Sequence, residues 1–424
     1  MTAHASPMKS EKNRPATRAE AEACARSMPL DQIDPADPHI FGLGAELAYF
    51  ERLRRDAPVH LTPDSQFGPF WSITRWDDIV AIDTNHVAFS SEPAIILRDP
   101  EEELPLPMLI AKDPPTHTTQ RKAVNNVAHP PAIAALEPLI RQRAGDILDA
   151  LPIGEEIDWV DKVSMELTAM TLATLFDIPQ ADRRKLTRWS DVATSSEDAG
   201  LVISKEQRKA ELLECLNYFT EVWKERAASP GGSDLISMLA TSEATKNMDR
   251  FEYLGNLVLL ISGGNDTTRN TISGSIYALN QNPEQYERLK ANHGLIPNMV
   301  SETIRWQTPI AYMRRRAKQD MEIGERVIKA GDKVAIWYVS GNRDESKIER
   351  PNDFWIERPN SRQHLSFGFG IHRCMGQRLA EVQLRVIWEE ILKRFKHVEV
   401  VGEPRRVRSF FIRGYENLPV RLHA

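Results

Sequence analysis

The chain has 424 residues, 41% hydrophobic and 27% charged, enough for one large domain with an internal cofactor or for two or three smaller domains. With 54 Lys and Arg against 60 Asp and Glu, the net charge of −6 argues against a nucleic-acid-binding protein. Three cysteines, Cys24, Cys215 and Cys374, are too few for a disulfide framework or for a four-cysteine zinc or iron–sulfur centre.

Residues 1–28 are polar and charged and predict a frayed leader. They lack the apolar core of a secretory signal, and no later run approaches the ~20 apolar residues of a membrane helix. The expectation is therefore a cytoplasmic protein without a membrane span. Short strand-like pieces follow at Val59-His60-Leu61 and Phe70-Trp71-Ser72-Ile73, then an acidic, proline-punctuated loop from Arg98 to Pro107. Helical periodicity then takes over. Ile133, Leu136, Ile140, Ala144, Ile147 and Leu151 step by three or four residues, as one helix face should. Lys162 to Phe176 and Glu206 to Ala228 read the same way, and a long helix spans about Arg250 to Gln281, stopping before Pro283. Met321 to Ser340 is strand-like, and a last helix runs from about Gly376 to Phe395. The fold class is mainly α with a small β portion, the β-rich parts lying mainly in 55–90, 321–340 and 398–424.

Two segments carry chemical signals. The first is His364-Leu-Ser-Phe367-Gly368-Phe-Gly370-Ile-His372-Arg-Cys374-Met-Gly376. It sets a cysteine just ahead of a helix, where free backbone N–H groups favour thiolate over thiol. Glycines there let the backbone approach a flat ligand closely. Such a cysteine suits an axial metal ligand, although a cysteine before a helix can also be a buried structural residue. The second segment is Ile261-Ser262-Gly263-Gly264-Asn265-Asp266-Thr267-Thr268, inside the long helix. Two glycines cost roughly 1 kcal/mol each relative to alanine, so the run predicts either a turn between two helices or a locally opened helix. In an opened turn, Asp266 and Thr267 would form a proton-delivery pair.

The Phe-Gly-x-Gly-x-His-x-Cys-x-Gly string resembles the haem-binding signature of the cytochrome P-450 family of haem-thiolate monooxygenases. The resemblance implies a triangular helical domain over 29–424, with haem b buried between the long central helix and the cysteine loop. It makes Cys374 the proximal iron ligand, shielded by Phe367, with Gly368 and Gly376 shaping the loop and His372 turned towards a haem propionate. His117 and Arg121, in Asp113-Pro-Pro-Thr-His-Thr-Thr-Gln-Arg121, match further propionate contacts, as does Arg315 of the run Arg314-Arg315-Arg316. The Gly-x-(Asp/Glu)-Thr of the family's central helix selects Asp266 and Thr267 as catalytic residues and implies activation of molecular oxygen. Glu302 and Arg305 match the family's Glu-x-x-Arg, and Arg358 completes a structural ionic triad.

Four blocks narrow the likeness to the bacterial soluble alkane and fatty-acid terminal hydroxylases of the family. They are Met108 to His117; Asp158-Trp-Val-Asp161 with Leu186 to Asp191; Ile261 to Gly274; and His364 to Phe395. By the same likeness the substrate pocket draws on Ile95, Leu106, Met108 and Leu109 in the loop and on Leu259, Ser262 and Gly263 in the central helix. Ile310, Ala311, Phe411 and Ile412 complete it. No residue stands out in the sequence as an anchor for a substrate carboxylate, Arg98 being the one candidate. Electrons are expected from NADH through a ferredoxin reductase and a small acidic ferredoxin. Arg373, Arg378, Arg385, Lys393, Arg394 and Lys396 cluster around the last helix, either as a solvated face or as the ferredoxin's docking patch. A terpenoid or aromatic substrate is the alternative, and a haem sensor or carrier without turnover is a further one.

Overall fold

The apolar stripe around Ile140 forms the helix Pro130–Asp149, and the last helix runs Gln377–Arg394 and packs along it. A computed structural model describes residues 14–194, 204–229 and 231–424. The central helix Arg250–Gln281 packs against the last helix, and its 32 residues span about 48 Å at ~1.5 Å per residue. Its start is fixed by the Asp249 carboxylate, which accepts from the backbone N–H groups of Phe251 and Glu252. Met165–Leu175, Arg183–Thr194 and Ile296–Gln307 pack against its flanks. Lys162 to Phe176 is therefore helical as expected, but it is entered through a π turn at Val160–Ser164.

The largest sheet orders its strands Val59–Thr62, Phe70–Ile73, Lys333–Ile336, Met313–Ala317 and Phe89–Ser90. Only the Phe70–Ile73 and Lys333–Ile336 pair is parallel, and most of the helical chain lies between these two strands. A second sheet joins Glu156–Asp158, Pro419–His423 and His397–Val400. Glu156–Asp158 and Met313–Ala317 lie outside the three expected β-rich stretches. The first is only three residues long, and the second is an arginine-rich strand with no apolar alternation to read.

Two expectations about elements are corrected. The frayed leader fails at Arg18–Ser27, which is a helix with a capping box between Thr17 and Glu20. It buries Ala21 and Ala25 against the helix Glu46–Asp56. Residues 1–13 lie outside the described part. The central helix is also unbroken across Gly263 and Gly264. The hydroxyls of Ser262, Thr267 and Thr271 donate to carbonyls one turn back, at 2.7, 2.8 and 2.7 Å. The Arg98–Pro107 segment is a loop, as read, and it crosses the central helix at Gly255. A Cβ on Gly255 would fall 2.1 Å from the Pro107 carbonyl oxygen, so only glycine permits this approach.

Candidate active site

The cysteine loop is a tight backbone fold before it is a ligand. The Cys374 N–H donates to the Phe367 carbonyl at 2.8 Å, and Gly368 and Gly370 adopt φ of +65° and +64°. A side chain at Gly370 would also meet the Asp83 carbonyl oxygen at 2.7 Å. Gly376 has an ordinary φ of −80° and caps the terminal helix. Cys374 is a free cysteine whose side chain is exposed onto a cavity of about 500 Å³. Burial pushes its thiol pKa up, opposed by the N–H groups of Gly376 and Gln377 and by Arg121 and Arg373.

The same cavity is lined by Arg121, Arg315, Phe367, Gly368 and His372, while the expected propionate contact His117 is not in its wall but lies buried against His372. The His117 and His372 rings lie 4.2 Å apart between centroids. Burial lowers the pKa of His117 to about 4 and that of His372 to about 2, so both rings are neutral at neutral pH. Both nitrogens of the buried His117 and Nδ1 of His372 have no hydrogen-bond partner, whereas His372 Nε2 meets Ser91 Oγ at 2.9 Å. Strand alternation decides among the three arginines. Arg315 faces the cavity with Met313, Arg314 turns to Asp99 at 2.8 Å on the other face, and Arg316 is exposed. Arg315 is held by Asp83 at 2.6 Å, and Asp83 also accepts from the Tyr338 hydroxyl and the Phe369 N–H. Asp83 carries no signal in the sequence; only the packing of the helix Trp76–Thr84 under the cysteine loop brings it here.

Of the expected pocket residues, Ile95, Leu106, Met108, Leu109, Leu259, Ser262, Gly263, Ile310, Phe411 and Ile412 line this cavity. Ala311 does not. It is fully buried, packs in the cluster with Tyr312 and Trp337, and donates its N–H to the Phe411 carbonyl. Thr168, Thr171 and Leu172 add a wall that the sequence did not reveal.

Asp266 and Thr267 separate. Successive helix positions point about 100° apart. Thr267 faces the cavity and donates to the Gly263 carbonyl at 2.8 Å. Asp266 instead borders a second, smaller cavity with Asp191, Arg269 and Thr194. It lies 3.1 Å from the Arg269 guanidinium, which also reaches Asp191 at 2.8 Å. Burial raises the Asp266 carboxyl pKa; Arg269 works against this and Asp191 with it. The Thr194 hydroxyl donates to Asp266 at 3.0 Å and borders both cavities.

The ionic triad forms as expected, fully out of solvent. Glu302 is bound by Arg305 at 2.8 Å and Arg358 at 2.9 Å, and it accepts the Trp355 N–H. Burial alone would raise the Glu302 carboxyl pKa, but the two guanidinium groups outweigh it and hold it below the usual range.

Residues 202–411 match the cytochrome P450 family model. Linalool 8-monooxygenase of Pseudomonas putida is 35% identical over 405 residues, covering 93% of this chain and 99% of the relative. The chain belongs to the cytochrome P450 family. A methyl-branched lipid omega-hydroxylase of Mycobacterium tuberculosis is 32% identical, over 88% of this chain and 90% of that one. The fold is also that of solved P450s. Cytochrome P450-153 from Novosphingobium aromaticivorans superposes with a TM-score of 0.86 at 44% identity, covering 92% of this chain and 99% of that one. CYP153D17 from Sphingomonas sp. PAMC 26605 gives 0.88 at 44%, covering 93% and 100%.

Like other P450s the protein is a monooxygenase whose cofactor is haem with an axial cysteine thiolate, here from Cys374. The residues fit that group. Cys374 is the one cysteine in the cavity lining, and the unpartnered imidazole nitrogens of His117 and His372 with Arg121 and Arg315 would offer donors to the group's carboxylates. Among the described residues no helix is long and apolar enough to cross a membrane.

Proposed function

We propose that this P450 hydroxylates the terminal methyl of medium-chain alkanes or fatty acids, with electrons passed from NADH through an external ferredoxin reductase and ferredoxin. The observation that carries the reading is the cavity wall. Met108, Leu109, Leu259, Ile310, Phe411 and Ile412 give an apolar lining to the cavity that Thr267 also borders. Burying an eight-carbon chain there yields roughly 6 kcal/mol at ~0.8 kcal/mol per methylene. The terminal methyl is the least reactive position, so the walls must impose end-on entry. The name of the 32% identical omega-hydroxylase supports the same chemistry.

Each residue then has a task. Cys374 holds the haem, which when bound supplies the activation of molecular oxygen. His117, Arg121, Arg315 and His372 hold its propionates, and Phe367, Gly368 and Gly376 frame the thiolate. Thr267 presents a hydroxyl to the cavity above Gly263, where there is open space. Asp266 supplies the proton, through Thr194, from the side of the second cavity. Glu302, Arg305 and Arg358 keep the fold that carries Cys374.

A haem absorption titration with n-octane and, separately, dodecanoic acid tests the substrate. The expected result is a spin-state shift with at least one, followed by a terminal alcohol in reconstituted turnover. Shifts with neither would remove the substrate reading. The 35% identical linalool 8-monooxygenase favours a second reading, hydroxylation of a methyl on a terpenoid. Product analysis with linalool beside octane and dodecanoic acid separates the two.

A further inference from the structure

The cavity is apolar along its length but not at its outer end. There it meets solvent between Gln66, Arg98 and Pro100 on one side and Lys205 and Arg208 on the other. Lys205 and Arg208 occupy the first turn of the helix Lys205–Ala228, so unpaired N–H groups add to their positive charge. Two carboxylates share this rim, Asp99 and Glu101. Asp99 is taken up from outside the cavity by Arg314 at 2.8 Å and Lys333 at 2.7 Å. Glu101 reaches Arg208 at 3.3 Å, leaving Arg98 and Lys205 without an ion pair among the described residues. Arg98 lies 5.9 Å over the ring of Phe67, itself a wall residue, so the guanidinium is laid along the entrance.

We propose that Arg98 and Arg208 form a carboxylate-binding subsite at the mouth of the cavity, which selects fatty acids over alkanes and holds them with the ω-end inward. The inference rests on the terminal-hydroxylase reading and sharpens it to one substrate class. Three cations facing one available carboxylate leave an excess of donors. An anion would complete the set, and an alkane would leave it as it is. Arg208 is the least exposed of the three, its side chain only 20% exposed, and Glu101 at 3.3 Å is its one ion-pair partner among the described residues. Burial lowers its pKa; Glu101 works against this and the smaller effect of the neighbouring Arg98 charge works with it. A fatty-acid carboxylate between the two guanidinium groups would relieve that repulsion and form charge-assisted hydrogen bonds. Glu101 would then exchange one partner for solvent, at little cost for a half-exposed side chain.

The test uses the haem-loaded enzyme and compares molecules of equal chain length. Spin-state titrations are run with the acids from octanoate to hexadecanoate, and with the alcohol and alkane matching the best acid. They are repeated in Arg98→Gln, Arg208→Gln and the double variant, each first shown to give a thiolate-type spectrum. The expected result is that the double variant binds the acid about tenfold more weakly or worse, the loss expected for hydrogen bonds between charged groups. Alcohol binding changes by less than about twofold, and the acid's advantage in the wild type shrinks with added salt. Equal weakening of acid and alcohol would overturn the subsite, as would unchanged acid binding. A wild type that binds alkane but not acid would also overturn it, while leaving terminal hydroxylation standing. Failure of all three compound classes would remove both.

Discussion

Asp266 and Thr267 are neighbours in sequence but belong to different cavities. The alcohol borders the substrate space, and the acid is buried against Arg269 and Asp191 behind the helix. Their residue types were legible in the sequence, but this division was not, because it depends on Thr194 and Asp191 from another helix. The proposed proton-delivery role of Asp266 then needs a bridge, and the Thr194 hydroxyl touches Asp266 while its residue borders both spaces. Asp266→Asn is expected to lower product formation about 100-fold, within the range of general acid–base catalysis. The substrate-induced spin shift should be unchanged. Thr194→Val, nearly isosteric, should reduce turnover in the same direction; wild-type turnover would remove Thr194 from the route. Burial raises the Asp266 carboxyl pKa, so its protonated form persists to higher pH than in an exposed aspartate. Activity that requires this proton falls as pH rises through that pKa, and a kcat profile of the Asn variant should lack the limb.

At the scale of elements, the central helix shows why propensity misled at one point and not at its ends. Its C-terminal end was legible because Pro283 follows the last turn, and in the structure Asp249 caps the first. The run of poor helix formers suggested a break, but the side chains of Ser262, Asn265, Asp266 and Thr267 have each found a bond. Asn265 accepts from Thr168 at 3.1 Å and Asp266 pairs with Arg269, so packing overrides propensity. The leader helix was missed for the opposite reason: the Thr17-x-x-Glu20 box was present, but with few large apolar residues after it. The glycines of the central helix give opposite predictions. Gly263→Ala meets nothing within 4 Å and should raise stability by up to about 1 kcal/mol, while shifting chain-length preference by narrowing the cavity. Gly255→Ala has the same propensity gain, but its Cβ overlaps the Pro107 carbonyl and should lose about 1–3 kcal/mol. Thermal unfolding of the haem-loaded variants separates them. Glu302→Gln leaves two buried guanidinium groups under-compensated and should cost roughly 3–5 kcal/mol in the same assay.

For the molecule as a whole, charge sets how a redox partner meets it. The sequence shows basic residues crowding the terminal helix, but not that half of them are already occupied. Arg385 reaches Glu137 at 2.6 Å, Arg394 reaches Asp149 at 2.7 Å, and Lys393 reaches Glu390 at 2.6 Å. Glu137 and Asp149 lie on the helix Pro130–Asp149, far away in sequence, so only the packing of the two helices brings the opposite charges together. Paired charges project little field beyond a Debye length of about 10 Å, and steering falls to those left open. Arg373, Arg378 and Lys396 are exposed and have no ion pair among the described residues, and the first two flank Cys374 and its helix. If an acidic ferredoxin docks on this side, Arg378→Glu should slow the second-order reduction of the substrate-bound enzyme about tenfold at low ionic strength. The difference should fade as salt is added. Lys393→Gln should stay within about twofold, because the lysine's charge is already balanced by Glu390. Neither variant should alter the substrate spectral titration. Stopped-flow reduction with an acidic ferredoxin that supports turnover measures both, and an unchanged rate for Arg378→Glu at low salt would move the docking face elsewhere.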